Sequence, residues 1–206
     1  MADAPHESKT KILDAALRVV RTKGYAATRI EDICAAAGLT KGSFFHHFKG
    51  KEELAVAAAR HWGTVTGALF AAASYHAPAE PLDRLLAYID FRKELISGTP
   101  SQFSCFAGTT VQEVFETHPM IRDACSATIS SHAATLEADV EAAMRQYRVA
   151  GKWTARSLAL HTQAVIQGAF ILAKATQDPK VALASLDHLR RYLELLFHPQ
   201  AEEDPP

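Results

Sequence analysis

Apolar residues recur at helical intervals along almost the whole of this chain, and no stretch sustains the strict alternation of a half-buried strand. Ile12, Leu13, Ala16, Leu17, Val19 and Val20 form one stripe on a first helix. That helix starts near Ser8 and stops where Gly24 follows Lys23. The same period, punctuated by glycine and proline, predicts further helices over about 28–37, 40–47, 52–74, 82–96, 105–116, 118–147, 154–176 and 179–197. The breaks have local causes. Pro78 and Pro81 bracket a loop, and Ser97-Gly98-Thr99-Pro100 interrupts helical geometry. Pro119 suits a first turn, and Asp178 stands where a cap belongs before Pro179. The expected fold is all-α with about nine helices, three in an N-terminal head and six in a body.

A chain of 206 residues that is 48% hydrophobic can bury a core in one or two small domains. No apolar run approaches the roughly 20 residues of a membrane span. The opening MADAPHESKTK has no apolar signal core, so a cytoplasmic location is expected. Cys34, Cys105 and Cys125 are too few and too scattered for a disulfide scaffold or a zinc finger. They read as small buried apolar residues. The AEEDPP tail reads as frayed. The formal net charge of -1 conceals an asymmetry: residues 9–51 hold nine Lys/Arg against three acids, which is +6 and leaves -7 elsewhere. A basic head on an acidic body points to a polyanion at one end.

Within the head, TRIEDICAAAGLTKGSFFHHFKGK (residues 28–51) reads as two short helices joined at Ala37-Gly38-Leu39. Thr28 and Glu31 have capping-box spacing, and Ile30, Ile33, Cys34 and Ala37 form the inner face of the first helix. Gly38 can take the positive φ of a tight turn. Thr40 caps the second helix, on which Phe44 and Phe48, four apart, turn inward. Such a pair suits a helix-turn-helix whose second helix enters the major groove of DNA. Lys41, Gly42, Ser43, Phe45, His46 and His47 are the candidate contacts on that helix. Lys41 suits guanine O6/N7 or a phosphate, and Gly42 permits close approach. Thr28, Arg29 and Lys51 read as backbone clamps, and the N–H groups beside Thr40 can also hold phosphate. No metal site is expected at His46-His47, because adjacent residues point about 100° apart on a helix and no HxxxH or HExxH occurs.

Residues 9–54 resemble the DNA-binding domain of the TetR family of bacterial transcriptional regulators. The resemblance rests on Tyr25, Thr28, Gly38, the Thr40-Lys41-Gly42 opening, the run of two aromatics, His and Phe, and Lys51 with acids behind it. The sequence departs from the family at Phe45 and His46, where tyrosine is usual. Phe45 can touch a thymine methyl but lacks the phosphate-bonding hydroxyl. The body resembles the family in helix count and in its closing segment, QGAFILAKATQDPKVALASLDHLRRYLELLF.

The resemblance implies a helix-turn-helix DNA-binding domain over 1–51 and a ligand-binding and dimerisation domain over 52–206. It implies a homodimer, since one recognition helix reads only a few base pairs. Val165, Gly168 and Ala169, with Leu186, Leu189, Leu193 and Leu196 at heptad-like spacing, would build a four-helix interface; alternatively the leucines face their own subunit's core. Trp62, Phe70, Phe91, Phe103, Phe106, Phe115 and His161 are candidates for lining a small-molecule inducer pocket, although aromatic stripes are more often plain core. No cofactor is expected. His118, Cys125 and His132, seven apart, span about 21 Å on one helix and cannot share an ion. The expected function is a ligand-responsive dimeric regulator, most simply a repressor that binds a palindromic operator in double-stranded DNA and is released by an inducer. A thiol redox sensor of the same fold, using Cys105 or Cys125, and a transcriptional activator are the alternatives. An enzyme is not expected, for want of a nucleophile elbow, a phosphate-binding glycine loop or a catalytic pair.

Overall fold

A computed structural model describes residues 4–197, the side chains of residues 4–6 excepted. The AEEDPP tail lies outside the described residues. Among them every regular element is helical: α1 (Ala4–Lys23), α2 (Ile30–Ala37), α3 (Lys41–His47), α4 (Lys51–Ala71), α5 (Pro81–Glu94), α6 (Pro100–Phe103), α7 (Phe106–Val114), α8 (Pro119–Gln146), α9 (Ala155–Thr176) and α10 (Pro179–Phe197). A 3-10 turn, Ser74–His76, precedes α5. The all-α expectation holds, with ten α-helices where about nine were expected. The addition is the single turn of α6, which begins at the proline that ends the Ser97–Pro100 break. Helix α1 also starts earlier than Ser8, at Ala4. Gly24 and Gly38 end α1 and α2 with φ of +83° and +66°, as the stop and turn positions require.

Helix α2 corrects the expected capping box. It starts at Ile30, and Arg29 N–H donates to the Asp32 carboxylate at 2.9 Å. Thr28 is buried instead, and its hydroxyl donates to the Gly24 carbonyl at 2.6 Å. The turn draws Thr28 inward, so the cap position falls one residue later.

The chain condenses into two compact units. The first holds the residues up to Ala71 together with Ser101–Ser131. One core joins Ile12, Ala16 and Val20 of α1, Ile33 of α2, Phe44 of α3, Leu54 and Ala58 of α4, Phe106 of α7, and Ile121 and Cys125 of α8. By packing, α4, α7 and the first half of α8 therefore go with α1–α3. The expected boundary between 51 and 52 does not mark an edge of this core. Helices α4 and α8 cross closely at Gly63, where a Cβ would stand 3.3 Å from the Thr128 side chain. The Thr128 hydroxyl lies 3.1 Å from the Ala59 carbonyl. Cys125, fully enclosed, has its thiol pushed up to about 12 by burial, with a smaller effect of Cys105.

The second unit comprises Ala72–Pro100 and the residues from His132 on. Here α10 packs along α9 and α5. Leu186, Leu189 and Leu193 of α10 and Ala169 of α9 are all buried within the chain, at no more than 3% exposure. Of the two readings of these residues, this burial agrees with the one in which the leucines face their own subunit's core. They form one column with Ala182 and Phe197, the widest apolar stripe on α10, and the widest stripe takes the core. The outward faces carry other apolar residues: Leu160, Ile171 and Leu172 on α9, Tyr192 and Leu195 on α10. Val165, Gly168 and Leu196 lie half-buried at the edge between the two faces. Tyr88, His132 and Gln163 form a buried polar chain: the Tyr88 hydroxyl lies 3.0 Å from His132 Nε2 and accepts from Gln163 Nε2 at 3.0 Å. Burial, with Arg92 nearby, pushes the His132 imidazole down to about 4.

Candidate nucleic-acid interface

Helix α3 is only seven residues long and cannot be stable by itself, so its anchors decide its orientation. Thr40 caps it, its hydroxyl accepting from Ser43 N–H at 3.2 Å. Phe44 and Phe48 are buried at 0% and 3% exposure, in tilted ring contact at 5.8 Å. Both enter the core shared with α1, as their spacing predicts. With the inner face fixed, the opposite face is fixed too. Lys41, Gly42, Phe45 and His46 are exposed and Ser43 is half-buried. Phe45 is 55% exposed, its ring edge-on to Phe44 at 5.2 Å. A large apolar side chain held rigidly in solvent suits an apolar surface such as a thymine methyl.

Not every expected contact lies on this face. His47 is drawn back to α1, with Nε2 2.7 Å from the Ser8 hydroxyl. Desolvation, with His46 and Lys9 close by, lowers its pKa. Thr28, enclosed and bonded to Gly24, presents no side chain to phosphate. Lys51 does not point outward as a clamp. Its ammonium donates to the carbonyls of Tyr25, Ala26 and Thr28 at 3.0, 3.4 and 3.1 Å, and stands 4.3 Å above the Tyr25 ring. All three side chains are thus engaged within the head: Thr28 and Lys51 bond carbonyls at the α1–α2 turn, and His47 bonds the Ser8 hydroxyl of α1.

The basic charge of the head is partly paired. Lys41 meets Glu31 at 2.5 Å and Lys23 meets Asp32 at 2.8 Å. Their hydrogen bond holds the Lys41 ammonium above its usual range and the Glu31 carboxyl below its own. Both members of the Lys41–Glu31 pair are more than half exposed, so water and salt screen it. A polyanion can therefore take Lys41 from Glu31 at low cost. Arg29 stays exposed at the start of α2.

Glu113 of α7 gave no sequence signal. Its carboxylate accepts from the N–H groups of Tyr25 and Ala26 at 2.9 and 2.8 Å, so it grips the turn that Lys51 grips through carbonyls. The His118 ring adds an edge contact to Tyr25 at 5.3 Å.

The candidate pocket residues are dispersed. Phe115, 53% exposed, and His161, exposed and set against Tyr192 at 5.4 Å, are surface residues. Phe106 is enclosed in the first unit's core. Trp62 lies under the Arg21 guanidinium at 5.1 Å, Phe70 is buried, Phe91 stands 5.7 Å from the Tyr75 ring, and Phe103 is half-buried. A groove of about 670 Å³ runs between α4 and α8 within the first unit, bordered by Val56, Arg60, Gly63, Thr64, Met120, Asp123, Ala124, Ala127, Thr128 and Ser131. None of the expected aromatics lines it. Among the described residues no cluster of three or more His, Cys, Asp or Glu could hold a metal ion, and no helix is long and apolar enough to cross a membrane.

A capped short helix, locked by two phenylalanines and presenting a basic and aromatic outer face, defines a helix-turn-helix regulator of the DNA-binding class. Comparison with known proteins gives the family. Residues 12–58 match the family model described as bacterial regulatory proteins, tetR family, and residues 81–190 match that of the tetracyclin repressor-like C-terminal domain. The chain belongs to the TetR family, whose members are DNA-binding transcription regulators and not enzymes. It is 39% identical over 57 residues to the uncharacterized HTH-type transcriptional regulator YerO of Bacillus subtilis, covering 28% of this chain and 20% of that protein. It is 29% identical over 126 residues to the uncharacterized HTH-type transcriptional regulator YxaF of the same organism, covering 61% of this chain and 65% of that one. The chain thus spans less than two thirds of the length of these curated relatives. The solved structure of a TetR-family transcriptional regulator from Agrobacterium tumefaciens superposes with a TM-score of 0.80 at 23% identity, covering 91% of this chain and 98% of that one. At that identity the likeness is one of fold.

Proposed function

We propose that this chain is a ligand-responsive, dimeric transcriptional repressor that binds a palindromic operator through α3 and leaves it when a small-molecule inducer binds the body. The observation that carries this reading is the two-sidedness of α3. Phe44 and Phe48 are sealed in the core while Lys41, Gly42, Phe45 and His46 face solvent. In this reading residues 1–51 read DNA, and residues 52–206 receive the ligand and dimerise. Lys41 exchanges Glu31 for a guanine edge or a phosphate, Phe45 meets a thymine methyl, and Arg29, Ser43, His46 and the amides following Thr40 hold backbone phosphates.

A second copy packs on the outward faces of α9 and α10. Leu160, Ile171, Leu172, Tyr192 and Leu195, each 40% exposed or more, support that placement, since exposed apolar residues clustered on one face mark an interaction surface. The inducer acts by binding the DNA-free arrangement more tightly than the bound one, with α4 tilting between them. Without unequal affinity nothing would shift.

The test is a gel shift on duplexes taken from upstream of the protein's own gene. Wild type is expected to retain one sequence against competitor DNA. Lys41→Ala is expected to weaken that binding by about 10- to 100-fold, the worth of one good base contact per half-site. Sequence-specific binding that ignores Lys41→Ala would sink the assignment of α3.

A further inference from the structure

The turn between α1 and α2 is held on its donor side and its acceptor side by different helices. Lys51, at the start of α4, takes the carbonyls of Tyr25, Ala26 and Thr28. Glu113, on α7, takes the N–H groups of Tyr25 and Ala26. Those two amides lie between helices, outside any helical ladder, and a carboxylate satisfying both is a bidentate, charge-assisted contact. The approach is close: a Cβ on Gly24 would stand 2.5 Å from a carboxylate oxygen of Glu113. Immediately beyond the turn come Arg29 and α2, and Glu31 of α2 holds Lys41 of α3. The turn therefore sets where α2 begins, and the tight turn at Gly38 together with the core shared by Ile33 and Phe44 carries that placement to α3. Of its two holders, Lys51 belongs to the helix that follows the motif directly, whereas Glu113 reaches it from the distant sequence of α7.

We propose that Glu113 is a positioning residue for DNA binding, through which α7 holds the α1–α2 turn, so that any movement of α7 that withdraws the carboxylate lowers operator affinity. The inference rests on the reading of α3 as the operator-binding helix. Its physical content is a population shift. With the clasp closed the head keeps one orientation. With it open the reading orientation is only part of an ensemble, and apparent affinity falls in proportion to that fraction. Contacts to phosphate that carry no sequence information tolerate a looser head, so affinity for unrelated DNA stays. This separates positioning from plain structural support, which would lower both.

The experiment compares wild type with Glu113→Gln, Glu113→Asp and Glu116→Gln. Glutamine has one oxygen to accept with and sets an N–H against the second amide. Aspartate keeps the charge but shortens the reach. Glu116, exposed just past the end of α7, is the charge-matched control. Affinity is measured on an operator selected from random duplexes by the wild-type protein, and on an unrelated duplex of equal length at the same salt. Amide exchange at Tyr25 and Ala26 is followed in parallel.

Glu113→Gln and Glu113→Asp are expected to lose about tenfold on the operator, the worth of a charge-assisted hydrogen bond in a screened setting. Binding to the unrelated duplex should hold within about twofold, with faster exchange at the two amides and Glu116→Gln matching wild type. Unchanged operator binding by both Glu113 variants despite faster exchange would overturn the proposal. So would a parallel fall on both duplexes with a lowered thermal midpoint. If wild type selects no operator at all, the reading of α3 fails first, and this inference with it.

Discussion

Helices α2–α3 and helices α9–α10 are both pairs of consecutive helices with one face sealed against the rest of their unit, and their free faces differ in kind. On α3 the free face carries Lys41, Gly42, His46 and a single large apolar residue, Phe45. On α9 and α10 it carries Leu160, Ile171, Leu172, Tyr192 and Leu195. A sealed inner face only fixes orientation; the outer face says what the element meets. Cations around one aromatic suit a charged, grooved polymer, whereas a run of aliphatics suits another protein surface.

The largest expected effect tests the sealed face of the reading pair. Phe44→Ala removes a fully enclosed ring and should cost about 3–5 kcal/mol, read from urea denaturation. A loss below about 1 kcal/mol would mean that α3 is oriented by something other than its phenylalanines. In the second pair the two faces can be separated by two variants. Leu186→Ala should lower chain stability by about 2–5 kcal/mol, with association impaired only through that loss. Ile171→Glu should leave stability within about 0.5 kcal/mol but convert dimer to monomer in sedimentation equilibrium. The reverse pattern would return the leucine column to the subunit interface.

The smallest effect is one of pH, and it falls on the second unit alone. His132 is kept neutral by burial, with its pKa near 4, while in the unfolded chain it takes up a proton below about 6.5. Stability from this group is thus intact above pH 6.5 and drains away as pH falls towards 4. About 2 kcal/mol should be gone by pH 5, since the unfolded chain binds the extra proton. His132→Gln should flatten that part of the pH–stability curve. An unaltered slope would show that the imidazole is solvated.

Much of the head was legible because its determinants are local. A threonine cap, two glycines at positive φ and two phenylalanines four apart act within a few residues, and the sequence displays their spacing. Direction was harder. Helix α10 carries two apolar stripes, and periodicity reveals both without saying which one meets α9 and α5; that depends on the width of Leu186, Leu189 and Leu193 with their flanking Ala182 and Phe197. Thr28 and Lys51 were read as solvent-facing because polarity alone suggests it, whereas each is satisfied by turn carbonyls that only the folded chain brings near. Glu113 was invisible for a stronger reason. It is one more glutamate on a helix, and its partners lie 88 and 87 positions away.

The close crossing at Gly63 and Thr128 has a mechanical meaning. Gly63 offers no side chain of its own, and only the Thr128 side chain, hydrogen-bonded to the Ala59 carbonyl, stands between the two helices there, so a rocking of α4 would pivot about this contact. From it the N-terminal arm of α4 reaches Lys51 over roughly 18 Å, at 1.5 Å per residue. A rocking of about 10° would carry the tip of such an arm ~3 Å, as far as a whole hydrogen bond is long. An angular change of that size would lengthen all three contacts of Lys51 with the turn carbonyls. Such a lever arm would convert a small rotation into a displacement at the turn as large as the contacts it holds.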